Sequence, residues 1–423
     1  MTDLVRSIQN AAPEIVALCP SLVRINTTNP SSGDQQPGGE RAGQEFLQPL
    51  LQDMGARVVA LDCPADIYER TGLLGPRQRD FSGRPNVVAC WDFGTPGPAV
   101  VLNGHMDTVG IDNMPDALSA ELRDGCIHGR GTSDCKGGIT VGVSAIRALL
   151  AAGRDLRGRV ILQSVVDEEC NGSGAGTLTC LDSGYTGDVA VFLDGNSNTL
   201  TMGCGGCLTA DLFVEGQEGH AAAGTGVSAI EKALIVKQGV DEFKRRREAA
   251  RAESRVNLGI LRAGVHPAVV PGAAYLSLNA VYAYEEAEAS RQAGGAYGGP
   301  AIRAEFEQIV RAAETGDEWL AAHPSRLEWV KDLIPYSQSP EDPWVQAFDR
   351  AFREATGQEP RYDVMTAWSD AAHPAALFGM PTVLYGPGVE GTAHSSHEYV
   401  TVENLVTCTQ VVATFLLQTL AAT

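Results

Sequence analysis

The 423-residue sequence predicts a two-domain α/β protein in which a mostly parallel, doubly wound sheet is interrupted by an inserted α+β domain. Three observations carry this reading. Strand-like apolar runs alternate with helix-like segments up to about residue 194, the pattern changes to β-α-β-β-α-β near Gly203, and the α/β pattern resumes after about Ile334. The length also exceeds what one hydrophobic core commonly supports.

In chain order, residues 39–54 are amphipathic at helical spacing and residues 56–62 read as a strand. Residues 86–90 and 98–103 are apolar runs of strand length, followed by a helix over 137–152 and strands over 159–167 and 188–194. Residues 208–214 then alternate like a half-buried strand, 227–249 form a long helix, 256–261 and 273–284 are strands, 302–320 a helix, and 327–330 a short closing strand. That order is the split βαβ arrangement of a ferredoxin-like sandwich. Residues 292–300, rich in Gly and Ala, form a surface loop within it. A helix over 343–356, a strand over 382–385 and a helix over 402–420 complete the first domain. The division is therefore 1–204 with 335–423 as the catalytic domain, and 205–334 as the insertion.

Composition narrows the function classes. A formal charge of −20 argues against an extended nucleic-acid surface, which needs a basic stripe. The one basic cluster, Lys244 to Arg247, has Glu242 and Glu248 beside it and reads as a solvated helix face. Hydrophobic residues make up 44% and charged residues 20%, yet no apolar run approaches membrane-spanning length. The first nine residues lack a basic stretch followed by an apolar one, so a soluble, cytoplasmic protein is expected. Ten cysteines in a chain of this length do not make a disulfide framework, and Cys204-Gly205-Gly206-Cys207 has no second pair at zinc-finger spacing. It reads as structural.

Five clusters carry chemistry. His105-Met106-Asp107 ends an apolar run, placing an imidazole and a carboxylate two residues apart on one face; a metal-binding histidine commonly needs such a partner to aim its ring. Alone, the tripeptide is a weak signal, and a hydrogen-bonded buried histidine is the better reading of it. Asp134 lies in the glycine-rich turn Gly129-Arg130-Gly131-Thr132-Ser133-Asp134 before a helix, where a carboxylate can bridge two cations. Phosphate binding is excluded there, because the P-loop pattern is absent and an acid stands where phosphate would be repelled. Asp167-Glu168-Glu169 ends a strand, where adjacent acids are costly unless cations neutralise them. Alternation turns the two glutamates opposite ways, one toward a metal and one toward an attacking water. Asp194 also closes a strand, with an Asp-Gly turn as the competing reading. In His394-Ser395-Ser396-His397-Glu398-Tyr399 either histidine can serve as a ligand, and spacing does not choose between them. Cys135 and Cys170 flank two of these acids and read as packing residues.

The ordered set H-M-D-T-V, G-R-G-x-x-D-x-K-G-G, D-E-E, a strand-end acid and H-S-x-x-E-Y resembles the M20 family of dinuclear metallohydrolases. That family includes acetylornithine deacetylase, succinyl-diaminopimelate desuccinylase, glutamate carboxypeptidase and aminoacylase. The resemblance implies that His105 and Asp194 hold one divalent ion, Glu169 and His394 the other, with Asp134 bridging. It makes Asp107 the residue that orients His105, Glu168 the general base on a metal-bridging water, and His397 a neighbour. Nitrogen and carboxylate ligands suit zinc, and also cobalt or manganese. Two such cations about 3.5–4 Å apart acidify a shared water and polarise the scissile carbonyl. In the insertion, Gly219-His220-Ala221-Ala222 resembles the segment whose histidine reaches across a homodimer to stabilise the tetrahedral intermediate.

The resemblance thus implies an amidohydrolase that removes an acyl group from a small N-acyl amine. A dipeptidase or carboxypeptidase of the same family is the alternative, and a non-catalytic metal-binding relative is the alternative of another class, disfavoured by the presence of Glu168. One departure bears on substrate. The family's carboxylate-gripping arginine aligns with Val281, and an asparagine of its N-V-x-P segment aligns with Ala268; valine cannot replace a bidentate arginine contact. His266, Arg262 or Asn279 are the polar residues nearby in sequence.

Overall fold

The computed structural model describes residues 2–422 except Gln78, Asn171, Ala252 and Glu253. Among the described residues the larger of its sheets has nine strands. Its middle is parallel, in the order Arg159–Val165, Ala99–His105, Val189–Phe192 and Thr382–Leu384. Every residue of Ala99–His105 and of Val189–Phe192 is buried, as parallel strands covered on both faces require. Antiparallel strands extend the margins. Arg57–Leu61 and Asn86–Asp92 lie on one side, while Thr199–Cys204 and Tyr336–Ser337 lie on the other.

Alternation along Ala99–His105 sends Val100 and Leu102 into a core with the helices Lys136–Ala151 and Val402–Leu420, and Val101 into a core with Ala175–Asp182 and Ala372–Phe378. The sheet is therefore wound on both faces. Helix boundaries follow local chemistry. At Pro343–Thr356 the Asp342 carboxylate accepts the N–H groups of Trp344 and Val345, Pro343 occupies the first turn, and Gly357 at φ 69° ends the helix.

The second sheet is antiparallel, in the order Val256–Ala263, Ala273–Tyr282, Gly206–Glu215, Arg326–Leu333. Leu208, Leu212, Leu276 and Leu278 face the helices Ala229–Ala250 and Pro300–Glu314 through Val236, Val240 and Phe306. The structure differs from the sequence reading in several places, three of them in or beside the two sheets. The helix expected over 302–320 is broken after Glu314, because Asp317 caps a new one, Glu318–Ala322. Tyr284 starts the helix Tyr284–Gln292 instead of ending a strand. Thr199–Cys204 and Arg361–Met365 pair in parallel although neither reads as a strand in sequence. Among the described residues no helix is long and apolar enough to cross a membrane.

Candidate metal centre and active site

The carboxyl ends of the central parallel strands converge on one cluster, the position where open α/β sheets place their ligands. His105 is the last residue of its strand, Asp167 to Glu169 follow Arg159–Val165, and Asp194 follows Val189–Phe192. A Cβ on Gly138 would lie 2.0 Å from the Leu193 carbonyl oxygen, so glycine is required for the start of Lys136–Ala151 to lie against that strand end. This close approach brings the Asp134 turn over the sheet. The loop before Tyr399–Thr401 supplies His394 in a left-handed conformation, φ 61°. Asp167 and Cys170 also adopt positive φ, at 66° and 53°.

Asp134 divides the donors into two groups. Its Oδ1 lies 2.8 Å from His105 Nε2, and its Oδ2 lies 3.1 Å from His394 Nε2. Asp194 Oδ2 is 3.8 Å from the same His105 nitrogen, and Glu169 Oε1 is 3.0 Å from the same His394 nitrogen. Donor atoms of His105, Asp134 and Glu169 all fall within 4.8 Å of one another. His397 stays outside, exposed, with its backbone N–H held by Ser395 Oγ at 3.3 Å.

Two expectations need correction. Asp107 orients His105 through its backbone carbonyl, 2.9 Å from Nδ1, while its carboxylate stands 3.8 Å away. The carboxylate instead accepts the backbone N–H groups of Glu168 and Glu169, at 3.3 and 3.0 Å, and the Asn29 amide at 2.8 Å. It therefore shapes the turn that aims the two glutamates. Cys135, read as a packing residue, lies in the site: its sulfur accepts the His105 backbone N–H at 3.2 Å and sits with His105 and Asp194. Burial pushes its thiol up to about 12.

The partners that hold two further motif residues, Asp167 and Glu398, carry no signal in the sequence. Asp167, the first of the three adjacent acids, is neutralised by arginines: Arg79 at 2.7 Å and Arg84 at 3.1 Å, the latter also paired with buried Glu40 at 2.5 Å. Glu398 is fully buried and accepts from Arg130 Nη1 at 2.6 Å, from the Gly131 and Ser133 amides at 3.0 Å each, and from the Asp134 amide at 3.2 Å. It ties the His394 loop to the Asp134 turn.

The electrostatics are those of a cluster built for cations. Hydrogen bonds to Asp134 and Glu169 hold the His394 imidazole up to about 11. Burial and the charge of Asp134 push Glu169 up to about 7. Burial, with Asp134 and Glu169 beside it, also drives Asp194 well above the usual carboxylate range. Half-buried Glu168 is raised for the same primary reason, with Glu169, Asp370 and Asp194 adding to burial against the opposing pull of His105. Imidazole and carboxylate donors without a thiolate fit divalent metal ions.

The structure does not bring His220 to this cluster. It is exposed on the insertion, where its Nδ1 accepts the Ala222 N–H at 3.2 Å and its own N–H meets Thr225 Oγ1 at 3.2 Å. His266 likewise serves its own turn, accepting the Ala268 N–H at 3.1 Å, and Arg262 is exposed. Val281 and Asn279 lie on the half-buried face of Ala273–Tyr282.

Fold and site together define a metal-dependent hydrolase. The chain belongs to peptidase family M20/M25/M40, whose family model matches residues 101–418. It is an enzyme that hydrolyses amide bonds. The chain is 26% identical to N-formyl-4-amino-5-aminomethyl-2-methylpyrimidine deformylase of Halalkalibacterium halodurans, over 98% of this chain and 96% of that one. It is 25% identical to the enzyme of the same name from Bacillus subtilis, with the same coverage of both chains. Its fold is similar to that of the di-peptidase Dug1p from Saccharomyces cerevisiae, with TM-score 0.74, 14% identity and coverage of 98% and 97%.

Proposed function

We propose that this protein removes a small acyl group, formyl in the first instance, from a primary amine carried by a small polar molecule. The observation that carries the hydrolytic reading is the division of donors by Asp134, one carboxylate oxygen toward His105 and the other toward His394. It supports two divalent ions, zinc in preference to cobalt or manganese, with His105 and Asp194 on one, Glu169 and His394 on the other, and Asp134 between them. When bound, the ions would acidify a water and polarise the scissile carbonyl. Glu168 takes a proton from the attacking water and returns it to the leaving nitrogen, yielding a carboxylic acid and a free amine. The Asp107 carboxylate aims Glu168 by holding its backbone N–H at 3.3 Å.

Full-length similarity to the deformylases supports the acyl-amine substrate. Valine at position 281 supports it as well, since the bidentate grip on a carboxylate that a dipeptidase or carboxypeptidase would use is missing.

In this reading residues 205–334 act as a lid and dimerisation domain in a homodimer. Val256–Ala263 is an edge strand, and Ile230 and Leu234 are 40% and 51% exposed on the adjacent helix, with Leu261 at 45% on the strand. A second subunit covering that patch would explain the exposure, and would let His220 serve the partner's site as an oxyanion donor. The test is a hydrolysis screen of N-formyl amines, N-acyl amino acids and dipeptides with zinc-, cobalt- or manganese-loaded protein. Turnover of formylated amines above the other two classes is expected; turnover confined to dipeptides would overturn the substrate assignment.

A further inference from the structure

The four-stranded sheet is covered by helices on one face, and its other face carries a row of polar side chains. Register places Asn257 opposite Asn279, Asn279 opposite Thr209, and Thr209 opposite Lys331, a continuous line across all four strands. The line depends on a bulge. Pairing shifts by one residue between Trp329 and Lys331, so Lys331 shares the face of Thr209; in regular pairing it would oppose Leu208 and enter the apolar core.

These four residues line a cavity of about 280 Å³ together with Tyr275 and Ser277. Lys331 is only 5% exposed, and the Asp332 amide beside it donates to the Leu74 carbonyl at 2.8 Å, fastening this strand to the catalytic domain. Leu74 opens the segment that leads to Arg79, whose guanidinium lies 2.7 Å from Asp167. The row therefore ends on a strand fastened to the segment that, through Arg79, holds the acid next to Glu168.

The row's chemistry is specific. Lys331 only donates, Thr209 and the two carboxamides both donate and accept, and no fork-shaped donor is present. One of the two Asn279 amide hydrogens goes to Cys207 Sγ at 2.8 Å, which leaves the other hydrogen and the carbonyl oxygen. Thr209 Oγ1 is buried with no hydrogen-bond partner among the described residues, a condition that normally calls for a ligand or water. Such a line suits a neutral planar group bearing both acceptors and amino donors.

Resting on the amine-deacylase reading above, we propose that Asn257, Asn279, Thr209 and Lys331 form the subsite for the amine half of the substrate, and that Thr209 and Lys331 select a polar heterocycle over an apolar ring of equal size.

The test compares N-formyl-4-amino-5-aminomethyl-2-methylpyrimidine with N-formylbenzylamine in the parent, Thr209→Val and Lys331→Met proteins. The parent should prefer the pyrimidine in kcat/KM. That preference should fall about 5-fold in Thr209→Val and about 10- to 100-fold in Lys331→Met, mainly through KM, the range expected for a neutral and a charged hydrogen bond. Thr209→Val should melt no lower than the parent, since its hydroxyl has no partner to lose. An unchanged preference in both folded variants overturns the subsite. Hydrolysis of N-acyl amino acids or dipeptides without hydrolysis of either formylated amine overturns the deacylase reading instead. In that case saturation-transfer NMR with free 4-amino-5-aminomethyl-2-methylpyrimidine decides: binding lost in Thr209→Val sustains the subsite, and no binding to the parent overturns it.

Discussion

Glu398 accepts the backbone N–H of Asp134 at 3.2 Å across 264 positions of sequence, and this contact joins the two halves of the candidate metal centre. Asp134 belongs to the turn that opens a helix of the first half of the catalytic domain, and Glu398 to the loop that presents His394. The Arg130 guanidinium, 2.6 Å from the other oxygen, supplies the charge that lets Glu398 stay buried. In the Glu398→Gln variant Arg130 is left as a buried, unpaired cation. A stability loss of about 3–5 kcal/mol is expected in urea unfolding, together with weakened metal retention. Unchanged stability would show that the pair is not a structural tie.

Glu168 is assigned the proton transfers. Glu168→Gln keeps the side chain's size and removes its basicity, so kcat should fall by about 10²- to 10⁴-fold while metal content stays at the parental level. Retention of parental kcat would remove Glu168 from the reaction.

His220 is assigned to the partner's site. Mixing inactive Glu168→Gln and His220→Ala proteins and allowing subunits to exchange should restore activity to about a quarter of the parental value, because half the dimers are mixed and each mixed dimer has one intact site. No recovery after exchange would place His220 outside catalysis or show that it acts within its own subunit.

A pH effect on stability is expected from His373. This buried residue lies 2.8 Å from the Ser173 carbonyl through Nε2, and burial pushes its pKa down to about 4. In the unfolded chain histidine titrates near about 6.5, so the unfolded state binds more protons between about pH 6.5 and 4, and stability falls as pH drops through that window. By pH 5 the loss from this one group is about 2 kcal/mol. Urea unfolding at pH 7.5 and pH 5 should show His373→Gln losing less stability than the parent by about that amount; equal losses would contradict the assignment.

The sequence made the strand-end residues legible because apolar runs of strand length end on His105, the D-E-E triplet and Asp194, and parallel sheets collect function at those ends. Alternation also separated the two sheets, since the 2-residue period of Gly206–Glu215 contrasts with the continuous burial of Ala99–His105. What stayed hidden depends on contacts between distant segments. His394 and His397 differ only in which one the loop turns toward Asp134, a choice made by backbone conformation. Asp167 is neutralised by Arg79 and Arg84, more than 80 residues earlier, and nothing in the triplet indicates that partner. The turn role of the Asp107 carboxylate depends on the fold bringing Glu168 and Glu169 beneath it. The polar row on the four-stranded sheet required the register of four strands and one bulge, and Lys331 in sequence is simply a charge just past a short strand.

The central claim is that the Asp134 carboxylate separates two metal positions. The most direct measurement is metal content by mass spectrometry, after loading with zinc and dialysis, of the parent, His394→Ala and Asp134→Ala proteins, each verified as folded. Two equivalents per chain are expected in the parent, about one in His394→Ala, and fewer than two in Asp134→Ala. A single equivalent in the parent, or two retained in Asp134→Ala, would contradict the account.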